Sequence, residues 1–208
     1  LMHGEEGLRL YTADGNQDGI LETIEAWFDE SNGHWWPIDG LGHQEKVFLG
    51  LRAHYPTHHA LAGVPMHVLA ETLDLDKAFL HVNILDSMVF LNQGSRFQSL
   101  PLPEVAQRSP VRDMVGADFN LDGYGDLFVA QNWESTPDHI GRLDAGQGLI
   151  LQGKPDGSFE PLSAGASGIR IDAEQQGAWV GDANGDERPD LWIQHSGMIQ
   201  LYLNQHEL

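Results

Sequence analysis

A nine-residue acidic pattern occurs three times in this sequence, with oxygen-bearing side chains at its positions 1, 3, 5 and 9. Ca²⁺ takes about six to eight oxygen ligands, and alternating acidic positions in a tight loop can direct several of them at one centre, with the backbone carbonyl at position 7 as one more. We therefore predict three calcium sites. Their predicted ligands are Asp14, Asn16, Asp18, Ile20 and Glu22 in the first loop, Asp118, Asn120, Asp122, Tyr124 and Asp126 in the second, and Asp182, Asn184, Asp186, Arg188 and Asp190 in the third.

Position 6 of the pattern must allow a sharp turn, which glycine does most easily. Gly19 and Gly123 occupy this position in the first two loops, whereas Glu187 occupies it in the third. The third site therefore departs most from the pattern. A single acidic, glycine-containing segment is also typical of an ordinary hairpin turn, but three copies at matching spacings favour metal binding.

The first loop also fits the twelve-residue EF-hand pattern, with Glu25 at position 12. The corresponding residues of the other two loops are Val129 and Ile193, whose side chains cannot bind a metal. An EF-hand calcium sensor therefore remains an alternative on the strength of the first loop alone.

The segments around the loops repeat as well, and they predict an all-β fold. A large apolar residue precedes each loop by three positions (Tyr11, Val115 and Trp179), and a strand-like run follows each loop. A second repeated element consists of an apolar strand, a glycine turn and a phenylalanine, as in VFLNQGSRF and LILQGKPDGSF. Short apolar runs between 24 glycines and 10 prolines are typical of strands joined by tight turns.

Segment 46–81 has mixed, roughly helical periodicity and contains no acidic loop. We interpret it as a helical insertion that lengthens the interval between the first and second loops. The predicted units are a first blade over 1–45 and 82–104, a second over 105–168, and a third, incomplete blade over 169–208. Repeats of this length indicate a β-propeller, here a partial one of about three blades.

The amino-acid composition argues against several classes of partner and metal site. The formal net charge is −20, which disfavours nucleic acid as a partner. The chain has no cysteine, so thiolate metal sites are excluded. No apolar run is long enough for a membrane span, and no signal peptide is visible. Because the chain begins at Leu1, we expect a fragment or a processed subunit.

These residues carry a resemblance to FG-GAP (VCBS) repeat proteins, whose relatives include the integrin α-subunit propeller. Most of the chain resembles the sequences of bacterial members related to cartilage acidic protein. The segments that carry this resemblance include DFNLDGYGDLFVAQN, DANGDERPDL and RAHYPTHHALAG. The resemblance implies a propeller, Ca²⁺ in the loops, an extracytoplasmic location and no catalytic residues. Glu22 and Glu187 depart from the family pattern, which expects Asp and Gly at these two positions.

Other residue groups give weaker hypotheses. His54 and His58 are one helical turn apart and near His59, but Pro56 interrupts the segment, so we expect surface or partner-facing histidines. Trp35, Trp36 and Trp133 suggest carbohydrate binding or processing as an alternative function. The common catalytic motifs do not occur. We predict a non-enzymatic, calcium-binding structural or protein-binding module whose partners are other protein chains.

Overall fold

The chain folds mainly into β-structure. The computed structural model describes residues 6–14, 18–75, 79–136 and 140–205. It has 39% strand and 15% helix, which confirms the predicted predominance of β-structure. The described strands form four antiparallel sheets, and none of these sheets closes on itself. The chain divides into two compact units, Leu1–Leu85 and Asp86–Leu208.

The first unit combines one sheet with four short helices. Its strands pair in the order β3-β2-β1-β4, all antiparallel. The elements in chain order are β1 (Leu8–Ala13), β2 (Glu22–Asp29), β3 (His34–Pro37), α1 (Leu41–Gln44), α2 (Leu51–His54), α3 (His58–Ala62), α4 (Met66–Thr72) and β4 (Phe79–Val82). The predicted insertion 46–81 thus contains α2, α3 and α4, and β4 begins in its last residues.

The core of the first unit lies between one face of the sheet and the helices. In β2, Ile24 and Ala26 are buried while their neighbours Thr23 and Glu25 are exposed, because successive side chains of a strand point to opposite faces. The helices and the α1–α2 connection supply the other side of this core, through Leu41, Phe48, Leu51, Leu61, Met66 and Leu69.

The second unit consists of a hairpin and two larger sheets. The sheets have strand orders β10-β9-β8-β7 and β11-β12-β13, and β5 pairs with β6. The elements are β5 (Met88–Asn92), β6 (Phe97–Pro101), a 3₁₀ turn (Glu104–Gln107), β7 (Val111–Ala117), β8 (Asp126–Gln131), β9 (Leu149–Gly153), β10 (Phe159–Leu162), α5 (Ala164–Ser167), β11 (Gln175–Gly181), β12 (Asp190–His195) and β13 (Met198–Tyr202). The strands of the first predicted blade, 1–45 and 82–104, are therefore distributed over both units.

Strand β8 is buried on both faces, which explains its nearly continuous apolar sequence. Phe128 and Ala130 pack toward the β11-β12-β13 sheet, in a cluster with Ala178 and Ile193. Val129 belongs to a second cluster, formed with β9, the 3₁₀ turn and the β5–β6 hairpin. The two clusters place the β7–β10 sheet between the hairpin and the β11–β13 sheet.

A buried amide fixes the loops at one end of the second unit. Asn132 has no exposed surface, and its side-chain nitrogen donates to the carbonyl oxygens of Gly146 at 2.7 Å and Asp172 at 3.1 Å. Its side-chain oxygen accepts from Ser109 Oγ at 2.8 Å and from the Gly146 N–H, also at 2.8 Å. This full set of partners compensates for the cost of burying a polar group.

The described helices are short. Helix α4, with seven residues, is the longest of them. None of the helices in the described ranges has the length and apolar character needed to cross a membrane.

Candidate metal-binding loops

All three acidic loops connect neighbouring antiparallel strands at equivalent positions. The residue before position 1 lies opposite the residue at position 9, giving the pairs Ala13 with Glu22, Ala117 with Asp126, and Gly181 with Asp190. The first loop is thus flanked by β1 and β2, whereas an EF-hand loop is flanked by helices. Glu25, the twelfth residue of the EF-hand pattern, lies in β2 opposite Leu10.

The second loop is organised by its own carboxylates. Asp118 accepts the backbone N–H groups of Asp122 at 3.0 Å and Gly123 at 2.8 Å. Asp122 accepts the N–H of Tyr124 at 2.9 Å and the side-chain amide of Asn120, also at 2.9 Å. Side chains at positions 1, 3 and 5 are therefore oriented by hydrogen bonds within the loop itself.

The third loop repeats these bonds residue for residue. Asp182 accepts the N–H groups of Asp186 at 3.2 Å and Glu187 at 2.9 Å, and Asp186 accepts the N–H of Arg188 at 3.0 Å. Asn184 donates its side-chain amide to Asp186 at 3.0 Å. The pKa of Asp182 is lowered, chiefly by the hydrogen bond from the Glu187 N–H, because this bond favours the charged carboxylate.

The first loop shares the part of the pattern that is described. Asp14 accepts the N–H groups of Asp18 and Gly19, both at 3.0 Å, and Asp18 accepts the N–H of Ile20 at 2.8 Å. The predicted ligand Asn16 lies outside the described residues. The side chain of Glu22, at position 9, is half-buried at the start of β2.

Position 9 of the second loop differs from positions 1, 3 and 5, because its carboxylate is buried. Asp126 is 1% exposed. One of its oxygens accepts the N–H of Phe119, inside the loop, and the other accepts the N–H of Gly153 at the end of β9, both at 2.9 Å. Asp126 therefore ties the loop to a strand that is distant in sequence.

Asp190 is the equivalent residue of the third loop, and it has no exposed surface. Its two oxygens accept the N–H groups of Ala183 and Asn204, both at 2.8 Å. Asn204, two residues after the end of β13, thus takes the place that Gly153 has in the preceding sheet. The bonds from Gly153 to Asp126 and from Asn204 to Asp190 give position 9 a structural function that the sequence pattern did not indicate.

Each of the second and third loops contains two residues with left-handed backbone conformation, at positions 4 and 6. They are Leu121 (φ 58°) and Gly123 (φ 89°) in the second loop, and Gly185 (φ 80°) and Glu187 (φ 65°) in the third. Glycine adopts this conformation without the steric cost that other residues pay. The third loop therefore reproduces the turn with its glycine at position 4 instead of position 6.

A lysine lies near the second loop. Lys154 contacts Glu160 at 2.7 Å, and this hydrogen bond is the main reason why the pKa of Lys154 is raised. The carboxylates of Asp122 and Asp126 raise this pKa further by electrostatic attraction. A cation bound by the loop would therefore be repelled by the ammonium group of Lys154.

The donor chemistry of the loops suits Ca²⁺, since the donors are carboxylate, amide and carbonyl oxygens. Within the described ranges, however, no three His, Asp or Glu side chains are gathered into a group that could hold a metal ion. The carboxylates at positions 1 and 5 are held in one short turn by backbone N–H groups. In the second and third loops, the carboxylate at position 9 is bonded both to a loop N–H and to the N–H of a residue distant in sequence. The chemical type of the ligands fits, but their convergence on one centre would need a rearrangement of side chains.

The aromatic and histidine groups singled out in the sequence are dispersed. Trp35 packs against the guanidinium of Arg9, with 4.0 Å to the ring centroid, whereas its neighbour Trp36 lies on the other face of the strand. Trp133 belongs to the second unit, where it pairs with Leu143. His54 ends α2, and His58 and His59 begin α3.

A scan of the chain against protein-family models and searches among curated proteins and solved structures each find no match.

Proposed function

We propose that this chain is a calcium-binding segment of an FG-GAP-type β-propeller, which acts as a structural or protein-binding module in a larger extracytoplasmic assembly. One observation carries the proposal: three separate acidic loops share the same hydrogen bonds from backbone N–H groups to the carboxylates at positions 1 and 5. Each bond alone is typical of an Asp-containing turn, but its repetition at the same positions of three loops favours one shared ligand over three unrelated turns.

The proposed ligands in the second loop are Asp118, Asn120 and Asp122, with the carbonyl oxygen of Tyr124. Asp126 accepts two backbone N–H groups, and it would bind the metal through the lone pairs that remain on its carboxylate oxygens. A bound Ca²⁺ ion supplies positive charge that offsets the repulsion between the carboxylates, which is about 1 kcal/mol per pair in water and larger when a pair is partly buried. The expected effect of Ca²⁺ is stabilisation of the strand pair that each loop connects.

The propeller part of the proposal is supported by the second unit. Its sheets stack face to face, and β7 and β11 are the first strands of two consecutive antiparallel meanders. Each meander has its acidic loop between its first and second strands. The repetition of loop, strand order and position-9 hydrogen bonds is what consecutive propeller blades would require.

The proposed partner is another protein chain that completes the propeller. The β7–β10 sheet has four strands, whereas β13 is an edge strand of a three-stranded sheet among the described residues. Its sequence, MIQLY, has neither charge nor proline, and Met198, Ile199 and Leu201 are exposed. Such an edge can pair with an added strand, and sedimentation of the purified chain should show self-association or aggregation. A cooperatively unfolding monomer would contradict this part of the proposal.

The calcium proposal is tested by thermal unfolding in EGTA, Ca²⁺ and Mg²⁺, together with the metal content per chain. Ca²⁺ should raise the melting temperature, because a hundredfold excess over Kd adds about 2.7 kcal/mol per site. Mg²⁺ should raise it less, because it keeps its waters and requires strict octahedral geometry. Asp122→Ala should lower the bound Ca²⁺ by one ion per chain. Unchanged metal content in this variant, or equal melting curves with chelator and with Ca²⁺, would refute the ligand assignment. A calcium-dependent rise in dye binding would instead favour a sensor.

A further inference from the structure

A cleft of about 340 Å³ lies beside the β2–β3 hairpin of the first unit. Two tryptophans and a carboxylate residue face it: Trp27 from β2, Trp36 from β3, and Asp39 from the segment that follows β3. The beginning of α3, with His58, closes another side. This volume is at the lower end of the range for small-molecule sites.

The two tryptophans are not part of the hydrophobic core of the first unit. Trp27 and Trp36 are directly opposite each other in the antiparallel pair, so their side chains share one face of the sheet. Ala26, the neighbour of Trp27, is fully buried on the other face, whereas Trp27 itself is 38% exposed. The indole N–H of Trp36 makes a long contact of 3.4 Å with the side-chain oxygen of Asn32.

The cleft has the chemistry of a cation site. The faces of indole rings carry negative potential and attract cations, most strongly among the aromatic side chains. The carboxylate of Asp39, which is 3.6 Å from His43 Nε2, adds negative charge to the lining. Neither Lys nor Arg occurs among the described residues that line the cleft. The net charge of −20 favours the approach of a cation and opposes that of an anion.

The same sheet already holds a cation between aromatic rings on its other face. The guanidinium of Arg9 lies 4.0 Å from the ring centroid of Trp35 and 3.9 Å from that of Phe79. There the chain supplies both the cation and the rings. At the Trp27–Trp36 cleft the chain supplies two rings and the carboxylate of Asp39, which also contacts His43.

We propose that this cleft binds a quaternary ammonium group, with Trp27 and Trp36 contacting its methyl groups and Asp39 balancing its charge. A quaternary ammonium ion suits the site because its charge is spread over an apolar surface that indole rings can contact. The inference is independent of the calcium proposal, since the cleft contains none of the residues of the acidic loops.

The test is a titration of the chain with tetramethylammonium chloride in EGTA, followed by the indole N–H signals in NMR spectra, with sodium chloride at equal ionic strength as control. Trp27 and Trp36 should shift while Trp179, which is 47% exposed in the second unit, should not. Trp36→Leu should weaken binding by about 2- to 30-fold, the range for one cation–aromatic contact. Asp39→Asn should weaken it by about 1.4- to 5-fold, the range for one exposed charge pair. Trp179→Leu is the matched control and should bind as the parent chain does.

Two further arms identify the source of the group. Choline represents a free small molecule, and a peptide with trimethyllysine represents a protein partner; tighter binding of one identifies the class of ligand. The proposal is overturned if tetramethylammonium shifts no cleft indole at millimolar concentrations, if a neutral sugar shifts the same indoles and tetramethylammonium does not, or if folded Asp39→Asn binds as tightly as the parent chain. Because Asp39→Asn is nearly isosteric, it decides the question even if Trp36→Leu fails to fold.

Discussion

Replacing Asp126 by Asn separates a structural carboxylate from a metal ligand within one loop. The two oxygens of Asp126 accept one N–H each, from Phe119 and Gly153, and the residue is buried. In the Asn variant one oxygen becomes an NH₂ group that faces an N–H donor. Asp122→Asn is the matched control, because Asp122 is exposed and its hydrogen bonds remain within the loop.

The expected magnitudes differ because the environments differ. Leaving one buried N–H unpaired costs about 1–3 kcal/mol, so Asp126→Asn should lower the free energy of unfolding by about that amount. Asp126→Ala removes both acceptors and should cost about 2–6 kcal/mol on the same basis. Asp122→Asn should change stability by no more than about 0.5 kcal/mol without metal, as exposed substitutions usually do. Asp190→Asn should repeat the effect of Asp126→Asn in the following sheet.

The assay is urea unfolding of the three Asn variants and the parent chain, in EGTA and again in saturating Ca²⁺. In EGTA the Asp126 and Asp190 variants should have lower midpoints than the Asp122 variant. In Ca²⁺ the Asp122 variant should lose most of the metal-dependent gain of its loop. If Asp122→Asn is as destabilising as Asp126→Asn in EGTA, the assignment of position 9 as the structural carboxylate is wrong.

Three further predictions concern the backbone of the third loop, the close approach of Gly153 and the charge beside the second loop. Glu187→Gly should raise the free energy of unfolding in urea by about 0.5–1 kcal/mol, because glycine adopts the left-handed conformation at this position without steric strain. Glu187→Ala should not raise it, because alanine has a Cβ as glutamate does. Gly153→Ala should cost about 1–3 kcal/mol in the same assay, since its Cβ would lie 2.2 Å from the carbonyl oxygen of Gly125; an unchanged midpoint would contradict this close approach. Lys154→Gln should tighten Ca²⁺ binding about two- to fivefold in low-salt calorimetry, and Glu160→Gln should weaken it. Equal affinities in both variants would place Lys154 outside the influence of the loop.

The loops themselves were predictable from sequence because their geometry is local. Asp118 bonds to N–H groups four and five residues further along the chain, and Asp122 to one that is two residues away. Bonds of such short range depend only on residue types at fixed spacings, which the repeated pattern displays. The predominance of β-structure was equally visible, since short apolar runs and frequent turn residues reflect local preferences.

The function of position 9 was not predictable, because it depends on strand pairing. Asp126 and Asp190 were predicted only as metal ligands, and nothing in the pattern distinguishes them from positions 1 and 5. Their partners Gly153 and Asn204 come next to them only when the following strand of each sheet is in place. The buried amide of Asn132, whose partners are likewise distant along the chain, escaped prediction for the same reason.

The tryptophans show the same division between local and tertiary information. The sequence grouped Trp35 and Trp36 with Trp133 as a possible carbohydrate site, whereas strand alternation sends Trp35 and Trp36 to opposite faces of β3. Pairing with β2 then gives Trp36 a new neighbour, Trp27, and the chain after β3 adds Asp39. Sequence spacing fixed which side chains can share a strand face, but the pairing of strands and the packing of helices decided which of them meet, because those contacts join residues that are remote along the chain.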